Sequence, residues 1–218
     1  SSSDPRSSTF DTDVTAPETS DNFAHNDEWV NSNQSITLTP SDATSGLAST
    51  KYCTDSANTC EASAGTSYTV PVSFTSEAIT YFRYASTDNA GNVQTTISRT
   101  VKIDKTAPTA GAGSDQSKDA EFTQTSTSSD SLSGINSYLW SKVSGSGTIT
   151  FGSAILAETT ISADANDEYV IRLTVTDRAG NSDTDDFTLT WTGVTSGSGS
   201  GTGTGSNNNN TGSNGGRP

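Results

Sequence analysis

Thr87-Asp88-Asn89-Ala90-Gly91-Asn92 returns, 89 positions later, as Thr176-Asp177-Arg178-Ala179-Gly180-Asn181. Both stretches are turn signals, because Asn, Asp and Gly tolerate the backbone angles of a tight reversal. Each lies between runs of β-forming residues. Thr80-Tyr81-Phe82-Arg83-Tyr84-Ala85 precedes the first turn and residues 96–103 follow it. Tyr169-Val170-Ile171-Arg172-Leu173-Thr174-Val175 and Phe187-Thr188-Leu189-Thr190-Trp191 flank the second. At a period of two, Ile171, Leu173 and Val175 share one face, and Arg172 and Thr174 the other. Two β-hairpins are predicted.

Further matches extend the repeat outward. Asp13-Val14-Thr15-Ala16-Pro17 recurs as Asp104-Lys105-Thr106-Ala107-Pro108, 91 positions on. Ser41-Asp42-Ala43-Thr44-Ser45-Gly46 recurs as Ser129-Asp130-Ser131-Leu132-Ser133-Gly134, 88 positions on. Three matches in one order and at nearly one offset describe two units of a single architecture. Ile36-Thr37-Leu38 reads as a strand that stops at Pro40, and Trp140 as a residue packed between sheets. The predicted fold is all-β: two tandem immunoglobulin-like β-sandwich domains of short strands, with low-complexity segments at both ends. The boundaries are 1–12 for a Ser/Thr-rich segment, 13–104 and 105–192 for the two units, and 193–218 for a Gly/Ser/Asn-rich tail or linker.

Composition agrees with thin cores. Of 218 residues only 29% are hydrophobic, while Ser and Thr number 37 each, so a helical protein is a poor match. No run approaches the roughly 20 apolar residues that cross a bilayer as a helix, so no membrane insertion is expected. The net charge of −14 argues against nucleic acid and anionic membranes, which attract basic surfaces, and acts instead to keep the protein dispersed. Ser1-Ser2-Ser3-Asp4-Pro5 has neither the basic nor the apolar region of a signal peptide. The chain also lacks an initial Met and reads as a processed protein or a fragment. Cys53 and Cys60 enclose a turn-forming stretch, and a disulfide between them is expected to contribute roughly 2–3 kcal/mol. Free thiols are the alternative; a metal site is poorly supplied by two Cys and the single His25. The disulfide reading implies an oxidising exterior.

With these motifs in hand, residues 13–104 resemble the bacterial Ig-like repeats of large cell-surface and adhesin proteins. The carriers are the Asp-x-Thr-Ala-Pro opening, the Asp-x-x-Ser-Gly turn and Thr-Asp-x-Ala-Gly-Asn. Residues 105–192 resemble a PKD-like domain through Tyr138-Leu139-Trp140, Ser144-Gly145-Ser146-Gly147 and the stretch 169–181. The resemblance implies a β-sandwich outside the cell. Its function is open among spacers, adhesins, filament subunits and accessory modules of secreted hydrolases.

In such a sandwich the first strand starts at the same end as the second–third and sixth–seventh loops. That topology gathers Asp13, Asp42 and Asp88 at one end of the first unit, and Asp104, Asp130 and Asp177 at the junction. Carboxylates with Asn and backbone oxygens suit Ca²⁺, and the similar adhesin repeats imply such an ion. The plainer role for each Asp is to accept hydrogen bonds from its own turn. Asn33-Gln34-Ser35 and Asn209-Asn210-Thr211 fit the N-glycosylation pattern. A Lys–Asn isopeptide bond would draw on Lys102 or Lys118. No nucleophile motif, phosphate loop or zinc pattern occurs, His25 has no catalytic company, and Gly197 to Gly205 belong to a repetitive tail.

The expectation is a non-enzymatic extracellular module of a surface stalk, adhesin or self-assembling filament. Its partners would be neighbouring repeats, identical subunits or a cell-surface ligand. The alternative is a glycan-binding accessory module of a secreted polysaccharide-degrading enzyme, marked by an exposed row of Trp29, Trp140 and Trp191.

Overall fold

A computed structural model describes residues 12–194. The tail glycines and Asn209 lie outside the described residues. Nine strands form the first unit: β1 (Glu18–Asp21), β2 (Trp29–Val30), β3 (Gln34–Ile36), β4 (Leu38–Ser41), β5 (Leu47–Asp55), β6 (Thr66–Ser67), β7 (Val72–Phe74), β8 (Ala78–Asp88) and β9 (Ile97–Ile103). Seven form the second: β10 (Gln116–Lys118), β11 (Phe122–Thr125), β12 (Ile135–Ser144), β13 (Ile149–Phe151), β14 (Glu158–Ala163), β15 (Asp167–Asp177) and β16 (Ser182–Trp191). Among the described residues the only helical stretch is the 3-10 turn Ala62–Ala64, and no helix is long and apolar enough to cross a membrane.

The large sheet of the first unit runs β2-β9-β8-β5-β6 and is opposed by the pairs β1-β4 and β3-β7. In the second unit β10-β16-β15-β12 opposes β11-β14-β13. Both predicted hairpins form. Gly91 and Gly180 adopt φ of 93° and 91°, a left-handed conformation that favours glycine. The long strands alternate as the sequence demands. Ile171, Leu173 and Val175 are fully buried together with Trp140, Tyr169, Phe187 and Leu189. Phe82, Tyr84, Val101, Ile103, Ile36 and Leu38 fill the separate core of the first unit. Each fully buried side chain of this size contributes roughly 1.5–3 kcal/mol, which offsets the ordering of short strands.

The strand expected at 36–38 is different. The chain changes sheets at Thr37: β3 pairs with β7, and β4 continues through Pro40 to pair with β1, with Pro40 opposite Thr19. Pro40 does not end the strand because β4 lies in a two-stranded sheet, where an edge position needs no N–H from it. The segment before residue 28, which shows no clear period, contributes β1, tied inward by a side-chain network. Asp21, 2% exposed, accepts from Arg99 Nε at 2.9 Å and from the buried Tyr84 hydroxyl. Burial first, and then Asp21, push the Tyr84 phenol well above its ordinary value.

The Cys53–Cys60 disulfide forms, with Cα atoms 6.2 Å apart. Asp55 organises the loop it closes, accepting from the Asn58, Thr59 and Cys60 amides at 2.8 Å each. These bonds, the Thr59 amide foremost, hold the Asp55 carboxyl below its ordinary range.

Candidate functional site: two matched carboxylate clusters

The two hairpin turns do more than reverse the chain. Asp88 accepts the Asn92 amide at 2.8 Å and its Nδ2 at 2.7 Å, and Asn92 Nδ2 also reaches the carbonyls of Asp13 and Thr15. Asp177 and Asn181 repeat this pattern with the carbonyls of Asp104 and Thr106. The opening motif is thereby laced to the last hairpin. Asp13 accepts the Thr15 and Ser45 amides at 2.9 and 3.0 Å; Asp104 accepts those of Thr106 and Ser133 at 3.1 and 2.9 Å. Asp42 closes its own turn by accepting from Thr44 and Gly46, and Asp130 does so from Leu132 and Gly134.

These bonds converge the carboxylates. One oxygen from each of Asp13, Asp42 and Asp88 lies within 4.8 Å of the others, and the same holds for Asp104, Asp130 and Asp177. Asp88, Asp104 and Asp177 are 2%, 0% and 1% exposed. Among the described residues no Lys or Arg pairs with any of the six. Three like charges at such range repel by on the order of 3 kcal/mol per pair at an effective dielectric constant near 20. Backbone amides offset part of that repulsion. The Ser45 side chain, followed by the Thr15 amide, lowers the Asp13 carboxyl below its ordinary value. Ser133 Oγ, at the position matching Ser45, is buried and makes no hydrogen bond among the described residues.

The second cluster sits where the units meet. The Asp104 amide donates to Val30 O of the first unit at 3.0 Å, while its carboxylate accepts from Ser133 of the second. Glu77 brackets the same stretch by accepting the Lys105 amide and the Thr106 hydroxyl, and Lys105 Nζ reaches Thr75 O and Asn33 Oδ1. The first cluster has the turn bonds but, among the described residues, none of these brackets, and Val14 is 82% exposed where Lys105 is engaged. The equivalent of Glu77 in the second unit is Asn166, which exchanges bonds with both backbone groups of Val194.

All six aspartates singled out in the sequence therefore come together as two triplets. Asn92 and Asn181, and Ser45 and Ser133, stand inside the repeated motifs, and their recurrence is the sequence signal that marks them. Glu77 and Lys105 carry no such pattern. Asn33 is exposed in the loop before β3. His25 pairs with Glu28 at 3.2 Å and stands edge-on to the Phe23 ring. The aromatic row fails: Trp140 and Trp191 are 1% and 4% exposed, core residues of the second unit, and Trp29 is half-buried in β2. Lys102 pairs with Asp27 at 2.6 Å and Lys118 stands over the Phe122 ring, so neither faces an Asn.

Residues 112–191 match the K319L-like, PKD domain family, and the β-sandwich of the second unit is similar to it. Solved structures similar to this chain include three. Fibronectin(III)-like modules of Clostridium thermocellum CbhA are 10% identical, with 80% of this chain and 94% of that one covered and a TM-score of 0.39. The D00-D0 domain of intimin is 14% identical, with 79% and 99% covered and a TM-score of 0.41. Drosophila N-cadherin EC1-4 is 16% identical, with 75% and 47% covered and a TM-score of 0.29. No curated protein matches the chain.

Proposed function

We propose that this chain is a non-enzymatic extracellular spacer, two β-sandwich units (13–104 and 105–192) joined through a cation-binding hinge of Asp104, Asp130 and Asp177. The observation that carries the reading is the duplicated triplet of carboxylates, with Asp104 bonded to both units. Three carboxylates without a basic partner suit a hard divalent cation that takes oxygen ligands, Ca²⁺ before others. Ser45 and Ser133 stand in the motif turns that hold these aspartates and donate their backbone amides to Asp13 and Asp104. A cation there would relieve the repulsion and lock the bracket of Glu77 and Lys105. The disulfide supports a place outside the reducing cytosol.

Calorimetry on chelator-treated protein tests the reading. Calcium should bind with measurable heat and raise the melting temperature, and Asp104→Asn with Asp177→Asn should abolish the binding at the joint. Absence of both heat and thermal shift in the parent protein would refute the cation hinge.

A further inference from the structure

The Cys53–Cys60 bridge closes a loop that other bonds already hold in shape. Asp55 Oδ1 accepts the Asn58 amide. Its Oδ2 accepts the Thr59 amide, the Thr59 hydroxyl at 3.0 Å and the Cys60 amide. One carboxylate thus gathers three successive amides, the last of them belonging to a bridged cysteine. Asn58, where the chain reverses, adopts a left-handed φ of 58°, which asparagine tolerates better than most residues.

Two strands grip the loop from outside. Ser98 Oγ of β9 donates to Asn58 Oδ1 at 2.8 Å. Arg83 of β8, directly across from Cys53, donates from Nη1 to Cys60 O. Its side chain therefore runs from the strand partner of one cysteine to the backbone of the other. The second unit supplies the contrast: Arg172 stands across from Ser141, as Arg83 does from Cys53, but pairs with Asp186. None of the bonds that shape the loop passes through sulfur.

We propose that Asp55, Ser98 and Arg83 form a template that keeps residues 55–60 folded whether or not the cysteines are joined, so that folding of the first unit drives their pairing. Asp55 is the main positioning residue. A free loop loses conformational entropy each time it closes. A templated loop has lost it already, and its thiols meet at high effective concentration. The oxidant is a small-molecule disulfide such as glutathione disulfide. One cysteine thiolate attacks it and expels a glutathione thiolate; the second attacks the protein sulfur of the mixed disulfide and expels the other. The two protein thiols thereby give two electrons and two protons to two glutathiones. Template and bridge strengthen each other equally, because such coupling is reciprocal. The clip is a lock that resists reduction and re-forms unaided, and this holds independently of the cation hinge.

Equilibration of the full chain with glutathione buffers, read by thiol alkylation and intact mass, tests the proposal. Asp55→Ala should lower the equilibrium constant for bridge formation at least about tenfold, a rise in potential of 29.6 mV for a two-electron couple. A residue that only stabilised the fold would leave that constant unmoved while the unit stays folded. Thr59→Val combined with Ser98→Ala, which removes two hydroxyl bonds, should lower it about threefold, and decides the matter if Asp55→Ala unfolds the first unit. In the reduced parent protein, hydrogen exchange should still find the amides of Asn58, Thr59 and Cys60 protected. An unchanged constant in the folded variant, or amides that exchange freely once the bridge is reduced, would overturn the template. None of those results bears on calcium binding at the joint.

Discussion

The first unit seals the margin of its large sheet with strand β6 and the Cys53–Cys60 loop, whereas in the second, among the described residues, no strand pairs with the outer edge of β12 and residues 154–156 run beside it, while a tryptophan enters the core. Trp140 sits where the first unit has the half-exposed Tyr52, and it packs edge-on against Phe187 with ring centres 6.4 Å apart. One architecture thus reaches stability by two routes. The first unit has a covalent clip beside a half-exposed tyrosine, and the second has a large buried indole satisfied by Leu156 O and no clip.

The sharpest way to break this contrast is Trp140→Ala. Removing a fully buried indole should destabilise the second unit by about 3–5 kcal/mol and leave the first unchanged. Two separate melting transitions, with only one displaced, would confirm that the cores are independent; a common shift would show coupling through the joint. Next in size, reducing the disulfide, or Cys53→Ser with Cys60→Ser, should cost the first unit about 2–3 kcal/mol and the second nothing. Denaturant midpoints read by tryptophan fluorescence in a Trp29→Phe background, where both remaining tryptophans belong to the second unit, would separate the two.

Acidity gives the smallest effect. Asp13 and Asp55 in the first unit, and Asp164, Asp167 and Asp186 in the second, are held below their ordinary values by hydrogen bonds, for Asp186 chiefly those from Arg172. A lowered native value stabilises the fold above the unfolded value, near pH 4, and the gain fades as the pH falls through the native one. Melting temperature should therefore be level from about pH 8 to 5 and fall below about pH 4, with both units affected.

Much of the fold was legible because it rests on local chemistry. The Asn-Ala-Gly-Asn and Arg-Ala-Gly-Asn turns need particular residues, and alternation from Tyr169 to Val175 needs one buried face. The aspartates were legible as well, since the repeat placed them in equivalent turns and sandwich topology brought those turns to one end. What stayed hidden depends on partners distant in the chain. The change of sheet at Thr37 follows from β1 and β7 being available on different sides, and nothing in residues 34–41 announces it. The burial of Trp191 turns on the unit closing over it. The bracket of Glu77 and Lys105 joins residues without motif, through backbone groups that every residue possesses.

The parallel pairing of β2 with β9, and of β10 with β16, has a consequence for a chain held at both ends. In each unit a short early strand lies alongside the last one and points the same way. Tension along the molecule then loads those backbone bonds in shear, so that they must rupture together and not one after another like the teeth of a zip.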